Sequence, residues 1–485
     1  MTTIRKAIMY SAFGQYSVHI LNFITVIVLA RIMTPAEIGV YAVAGSVSLL
    51  ATELRSMGVV QYLIREKDLD QKKIRAALGL TVAVSWTLGL IIVIAAPLVA
   101  DFYNEVAVKN ILWILSITFV IGPFTSVPVA LWQRKMNFQS QFVQKFLGGI
   151  FYSGSSIIFV LLGYSYYGLA FGAIVGLIIE LIVVIYLRPA GTAWIPSFSW
   201  MGDLVKFGLY TSSNSLFSRF SVSIPDLVIG RLGTMTDVGI FSRGLGIILF
   251  VSKIIISAVA PVVLPHLSEV HRSGKSVADA YMRATKLLVV FSWPIFAVVS
   301  VASYPMIRAL FGDQWDLAVP VASILSLWAI LVSVHIFASQ ALIVTGYESL
   351  LFFSGLIVLI FRLGGVIIAA PYGLEVIAWS IVGSGVVDLL IKTWAVKKST
   401  GLSVRRLAAS FIPSMTITIS CWLVAKLIDQ LMPFEETNPW ISIAVIFVCM
   451  LPTWLISIRL TKHEAWNVVI DLYMKLTRQK IATGS

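Results

Sequence analysis

About fourteen apolar windows, each of roughly the 20 residues needed to cross a hydrocarbon core, follow one another along this 485-residue chain, from 11–31 to 440–459. With 58% hydrophobic and 12% charged residues, and a mean hydropathy of +0.92, a water-facing exterior would be one continuous apolar patch. Lipid is the solvent that tolerates such a surface. In lipid every backbone polar group must be satisfied internally, and helices do this within a single segment. The expected fold is therefore an all-α polytopic membrane protein.

The net charge of +13 fits membrane topology better than nucleic-acid binding. With the N-terminus inside, most Lys and Arg fall in inner loops, such as Arg65, Lys67, Lys72, Lys73 and Arg75, then Arg134, Lys135 and Lys145. The predicted outer loops hold few cations beside acids such as Asp101, Glu105, Asp313 and Asp316. Both termini are expected in the cytoplasm. The inner loop at Gly346, Tyr347 and Glu348 departs from the pattern, having no positive charge. Residues 461–485 mix Trp466, Val469 and Leu472 with basic side chains, as an amphipathic helix on the inner leaflet would.

The chain also repeats itself at an offset of 200 residues. RIMTPAEIGVY at 31–41 returns as RLGTMTDVGIF at 231–241, with Arg31, Thr34 and Gly39 recurring as Arg231, Thr234 and Gly239. Lys6, Tyr10 and Val28 likewise match Lys206, Tyr210 and Val228. Six helices separate equivalent points, so both halves share one membrane orientation, a parallel repeat. The expected organisation is an N-lobe over 1–200 and a C-lobe over 201–400, six helices each. Two further helices at 401–460 and a tail at 461–485 complete it.

Charges retained inside a membrane are costly, at roughly 2.5–3.5 kcal/mol each at mid-bilayer. Helix 1 carries the polar stripe Gln15, His19, Asn22 and Thr25, and its repeat mate carries Arg219 and Asp226 two turns apart. Glu53, Arg55, Arg243, Lys253, Arg362 and Asp388 add further intramembrane charge. A cavity lined with Arg219, Arg243, Lys253, Arg55 and Arg362 would favour an anion, phosphate above all, because arginine presents a planar donor fork. Gln15, His19 and Asn22 are candidates for hydrogen bonds to substrate. Glu53, Asp226 and Asp388 are candidates for coupling or for ion pairing, with Arg219–Asp226, Glu53–Lys253 and Arg362–Asp388 as the structural pairs to weigh. His335 reads more readily as a satisfied interhelical histidine than as a proton relay.

No catalytic residues are expected: Walker A, dinucleotide-binding and G-x-S-x-G patterns are absent, and His463-Glu464 lacks the second histidine of a zinc motif. Cys421 and Cys449 lie in apolar runs and read as packing residues, so neither a metal nor another bound cofactor is expected.

LARIMTPAEIGVYAV at 29–43, GVVQYLIREKDLD at 58–70, ALWQRKMNF at 130–138, PDLVIGRLGTMTDVGIFSRG at 225–244 and LFGDQWDLAVPVASIL at 310–325 resemble one family. It is the polysaccharide-transport (Wzx-type) flippase family of the multidrug/oligosaccharidyl-lipid/polysaccharide exporter superfamily, nearest the colanic-acid-exporter subgroup. The resemblance implies a bacterial inner-membrane flippase that moves an undecaprenyl-diphosphate-linked oligosaccharide by alternating access for surface polysaccharide synthesis. It implies a proton or sodium gradient as the drive, membrane lipid around it, and a polysaccharide polymerase and chain-length regulator as partners. The competing reading is a cation-coupled multidrug exporter of the same superfamily, whose cavity should be acid-rich. An embedded glycan polymerase fits worst, since it needs large outer loops.

Overall fold

A computed structural model describes residues 2–56, 59–66, 68–189, 191–198, 202–467 and 470, with side chains from residue 16 in the first helix and 216 in the ninth. In chain order the helices are α1 (Thr2–Ile32), α2 (Pro35–Ser56), α3 (Val59–Arg65), α4 (Gln71–Tyr103), α5 (Val106–Ile121) and α6 (Pro123–Arg134). Next come α7 (Phe138–Phe159), α8 (Tyr166–Tyr186), α9 (Gly202–Leu232), α10 (Met235–Arg272), α11 (Val277–Phe311) and α12 (Ala318–Ser333). The last are α13 (Ala338–Val344), α14 (Glu348–Ala369), α15 (Leu374–Thr400), α16 (Val404–Ser410), α17 (Ile412–Leu431) and α18 (Pro439–Leu460). No strand occurs among the described residues.

The protein is a multi-pass, all-helical membrane protein. Among the described residues, eleven stretches are long and apolar enough to span, and a twelfth is added if α5 and α6, bent by 47° at Gly122, count as one. That is fewer than the fourteen expected. Within α1, Tyr16–Ile32 is a shorter apolar helical segment.

The chain forms two compact units, Met1–Ser242 with Val366–Pro371, and Arg243–Gly365 with Tyr372–Ser485. The sequence repeat appears as a repeat of elements. α1 and α9 are both 31 residues long, with bounds shifted by 200, and α2 and α10 begin at Pro35 and Met235. α8 and α15 start at Tyr166 and Leu374, each after a positive-φ residue, Ser165 at 48° and Gly373 at 98°.

The repeated motif has a local cause. Thr34 and Glu37 form a capping box: the Thr34 backbone N–H and hydroxyl donate to the Glu37 carboxylate at 2.8 and 2.9 Å, and the Glu37 N–H donates to the Thr34 hydroxyl at 3.3 Å. Thr234 and Asp237 repeat these bonds at 2.9, 2.7 and 3.1 Å. The motif glycines then let the two helix starts cross at backbone distance. A Cβ on Gly39 would lie 1.7 Å from the Met235 carbonyl oxygen, and one on Gly239 would lie 1.9 Å from that of Pro35.

Small residues also close the α7–α8 contact. A Cβ on Gly172 would lie 1.9 Å from the Ser156 hydroxyl, and one on Gly176 would lie 2.9 Å from the Tyr152 Cβ. In the second unit, Trp454 of α18 donates to the Val290 carbonyl of α11 at 2.9 Å. Cys421 packs beside them as a free, buried thiol. Beyond α18, Glu464 accepts from Lys286 at 3.0 Å, with Arg283 at 3.8 Å; the Lys286 bond holds its carboxyl below the usual range. Of the expected amphipathic tail, 468–469 and 471–485 lie outside the described residues.

Candidate functional site

In the first unit the intramembrane charges pair differently from the expectation. Arg219 on α9 takes Glu53 on α2, Nε to carboxylate 3.4 Å, rather than Asp226 on its own helix. Asp226 accepts from the hydroxyls of Ser46 at 2.9 Å and Ser242 at 2.7 Å. Each contact advances seven residues along one helix as it retreats seven along the other, from 53–219 to 46–226. Antiparallel packing of α2 and α9 therefore sets the partners, and a same-face spacing within α9 could not reveal it.

Of the helix 1 stripe, Thr25 is buried and its hydroxyl bonds that of Ser153 on α7 at 2.5 Å, which makes it interhelical glue. His19 is half-buried, Asn22 is exposed, and the Gln15 side chain lies outside the described residues.

Asn22 and Arg55 line a polar cavity of ≈ 570 Å³ inside the first unit, walled by α1, α2, α3, α5, α6, α7 and α8. Arg55 reaches it because Gly122, at the α5–α6 bend, has no side chain. A Cβ there would sit 1.9 Å from a guanidinium nitrogen. The guanidinium donates to the Thr118 carbonyl at 3.3 Å and faces the Phe119 ring at 5.8 Å. The opposite wall holds a cluster that the charge survey missed. Glu180 of α8 accepts from Lys145 of α7 at 3.0 and 3.1 Å and from the fully buried Gln144 at 3.0 Å. Gly148 makes room, since its Cβ would lie 2.5 Å from the Glu180 Cγ. A signal was present: Glu180 is the sole charge in the apolar run of α8. The 208-residue shift between α8 and α15 makes it the counterpart of Asp388.

In the second unit, Asp388 and Arg362 are both buried. Asp388 takes Lys392 at 2.9 Å, one turn along α15. Arg362 donates to the Ser384 hydroxyl at 3.1 Å and lies over the Trp328 ring at 5.0 Å. Lys253 is exposed on α10. His335 is bonded at both ring nitrogens, to Tyr281 and to Thr393 at 2.7 Å each, which is the satisfied interhelical histidine of the sequence reading.

Arg243 is gripped by aromatic rings, with its guanidinium 5.7 Å from Phe311 and 5.3 Å from Trp315. Arg243→Lys keeps the charge and loses the stacked plane, so the protein should lose about 1 kcal/mol of stability. Thermal unfolding in detergent checks this; an unshifted melting temperature would show that the rings do not hold the side chain.

Comparison with known proteins gives consistent relatives. The sequence profile described as polysaccharide biosynthesis protein matches residues 28–320. The teichuronic acid biosynthesis protein TuaB of Bacillus subtilis (strain 168) is 22% identical over 444 residues, covering 88% of this chain and 89% of that one. The succinoglycan biosynthesis transport protein ExoT of Rhizobium meliloti (strain 1021) is 23% identical over 325 residues, 67% of this chain and 66% of that one. Among solved structures, the lipid II flippase MurJ in an inward closed conformation superposes with a TM-score of 0.76 at 15% identity, covering 93% of this chain and 99% of that one. A MATE crystal structure in complex with MaD5 gives 0.53 at 15% identity, covering 83% and 94%. At these identities the structural likeness establishes the fold alone.

Proposed function

The chain belongs to the polysaccharide biosynthesis protein family, and from that membership we propose that it is a flippase for an undecaprenyl-diphosphate-linked oligosaccharide. It works by alternating access in the bacterial inner membrane, with both termini cytoplasmic, and supplies surface polysaccharide synthesis. The family match over residues 28–320 carries this reading. Two cavities of opposite character support it. The first unit's is polar, and the second unit holds one of ≈ 650 Å³ among α11, α17 and α18 whose lining, including Phe291, Phe447, Met450 and Trp454, suits an isoprenoid chain.

Arg219 is the headgroup cation of the first unit. Its guanidinium is half exposed and held by a single 3.4 Å contact to Glu53, so an arriving phosphate can take the fork in two-point geometry. Glu53, Asp226 and Asp388 are the candidates for coupling substrate binding to a proton or sodium gradient. Arg243 and Lys253 are the corresponding candidates in the second unit, and a polymerase with its chain-length regulator would take the delivered units. No step makes or breaks a covalent bond.

The test is the leaflet occupied by the lipid-linked units in a deletion strain. They should accumulate facing the cytoplasm, protected from an impermeant periplasmic reagent, and reach the periplasmic face when the gene is restored. Units already at the periplasmic face in the deletion strain would end this reading. An altered drug-resistance profile instead would favour the multidrug exporter.

A further inference from the structure

The first unit's polar cavity presents a set of acceptor oxygens whose own hydrogens are already used. The hydroxyls of Thr52, Thr118, Thr125 and Ser126 spend their hydrogens on carbonyls of Ser48, Leu115 and Gly122, at 2.6–2.9 Å. Toward the cavity these oxygens can only accept. Gln144 is fully buried, its amide nitrogen is used on Glu180, and its carbonyl oxygen takes no hydrogen bond from any described group. An acceptor buried in that state is costly unless a ligand or water supplies a donor. Glu180 has room for about four donors, and Gln144 and Lys145 do not fill it.

The charge balance matters as much. Lys145 is neutralised by Glu180, which leaves Arg55 as the cavity-lining cation in no ion pair among the described residues. One net positive charge is little for a diphosphate, and phosphate oxygens bring acceptors where acceptors already abound. A sugar ring brings several hydroxyl donors on one rigid frame. The cavity's ≈ 570 Å³ lies within the roughly 300–1,000 Å³ usual for small-ligand sites.

We propose that this cavity is a carbohydrate subsite that holds a sugar ring by its hydroxyl donors. Glu180 and Gln144 are the anchoring acceptors, Asn22 and Gln133 line the wall, and Arg55 donates to a ring or exocyclic oxygen. The inference rests on the flippase reading, which brings a glycan here, and it separates sugar recognition from headgroup recognition. The Lys145 bridge fixes the Glu180 carboxylate in place, and Gly148 lets it lie against α7.

The test uses the purified full chain in lipid nanodiscs, with saturation-transfer NMR of methyl α-glucoside. The expected result is transfer to the ring protons, undiminished by excess pyrophosphate. The dissociation constant should rise about tenfold or more in Glu180→Gln and in Gln133→Leu. Should Glu180→Gln unfold early, Gln133→Leu, which breaks no ion pair, carries the comparison. Wild-type affinity in folded variants, absence of transfer to the wild type, or displacement by pyrophosphate overturns the subsite. Such a failure beside normal wild-type flipping in the leaflet assay leaves the flippase reading standing. Failure of the leaflet assay removes that reading itself.

Discussion

Gly39→Ala is expected to destabilise the folded protein more than alanine at any open helical glycine, and Gly239→Ala should do the same. The new Cβ would have to occupy a point 1.7 Å from the Met235 carbonyl oxygen, or 1.9 Å from that of Pro35. Both obstacles are backbone, in first turns already fixed by the Thr34–Glu37 and Thr234–Asp237 capping boxes, so no side chain can swing aside. The helix starts must separate by more than an ångström. Overpacking usually costs about 1–3 kcal/mol, and a backbone-to-backbone clash belongs at or above the top of that range. The helix-propensity gain of alanine, about 1 kcal/mol, is too small to reverse the sign. Gly246 on α10, with nothing within 4 Å of its would-be Cβ, is the control, and Gly246→Ala should be neutral or stabilising. Because one crossing serves both glycines, the double variant should lose less than the sum of the singles. Thermal unfolding in detergent decides the matter. Gly39→Ala melting with the wild type would mean that the crossing is looser than its geometry.

The crossing also shows which parts of this fold a sequence makes readable. Helix starts are local chemistry: a threonine, a carboxylate three residues on, and the backbone between them. Thr34 and Thr234 therefore announced equivalent elements 200 residues apart. Depth in the membrane is legible too, since a lone acid in an apolar run is conspicuous, and Glu180 could have been found that way or through its counterpart Asp388. Choice of partner is not local. Arg219 and Asp226 share a helix face at a spacing that invites pairing, yet Glu53 and Ser46 of α2 intervene, because α2 runs antiparallel beside α9. Arg55 depended on a bend at Gly122, and Gln144 on the close α7–α8 approach that glycines permit. The sugar-facing half of the cavity was therefore invisible, although Asn22 and Arg55 were picked out.

Charge reversal at the α2–α9 pair separates structure from transport. Glu53→Lys alone puts two cations where a 3.4 Å ion pair stood, and Arg219→Glu alone puts two carboxylates there. An unpaired charge held in the membrane costs roughly 2.5–3.5 kcal/mol. Arg219 is half exposed, which lowers that figure, yet even about 1.4 kcal/mol is a tenfold effect. Each single reversal should thus cut export of surface polysaccharide about tenfold or more and lower the amount of folded protein. The double reversal, Glu53→Lys with Arg219→Glu, restores the attraction with the signs exchanged, and contacting residues couple by about 0.5–3 kcal/mol. Protein in the membrane should therefore return toward the wild-type amount. Export should not follow, because the carboxylate now stands on α9 where the headgroup needs a cation. Quantitative blotting of membranes beside surface-polysaccharide assay reads the two effects apart. If the double reversal restores both together, Arg219 and Glu53 are a structural brace and the phosphate is held elsewhere. If Arg219→Ala exports normally at normal abundance, α9 has no part in binding the headgroup, whatever the fate of the swap.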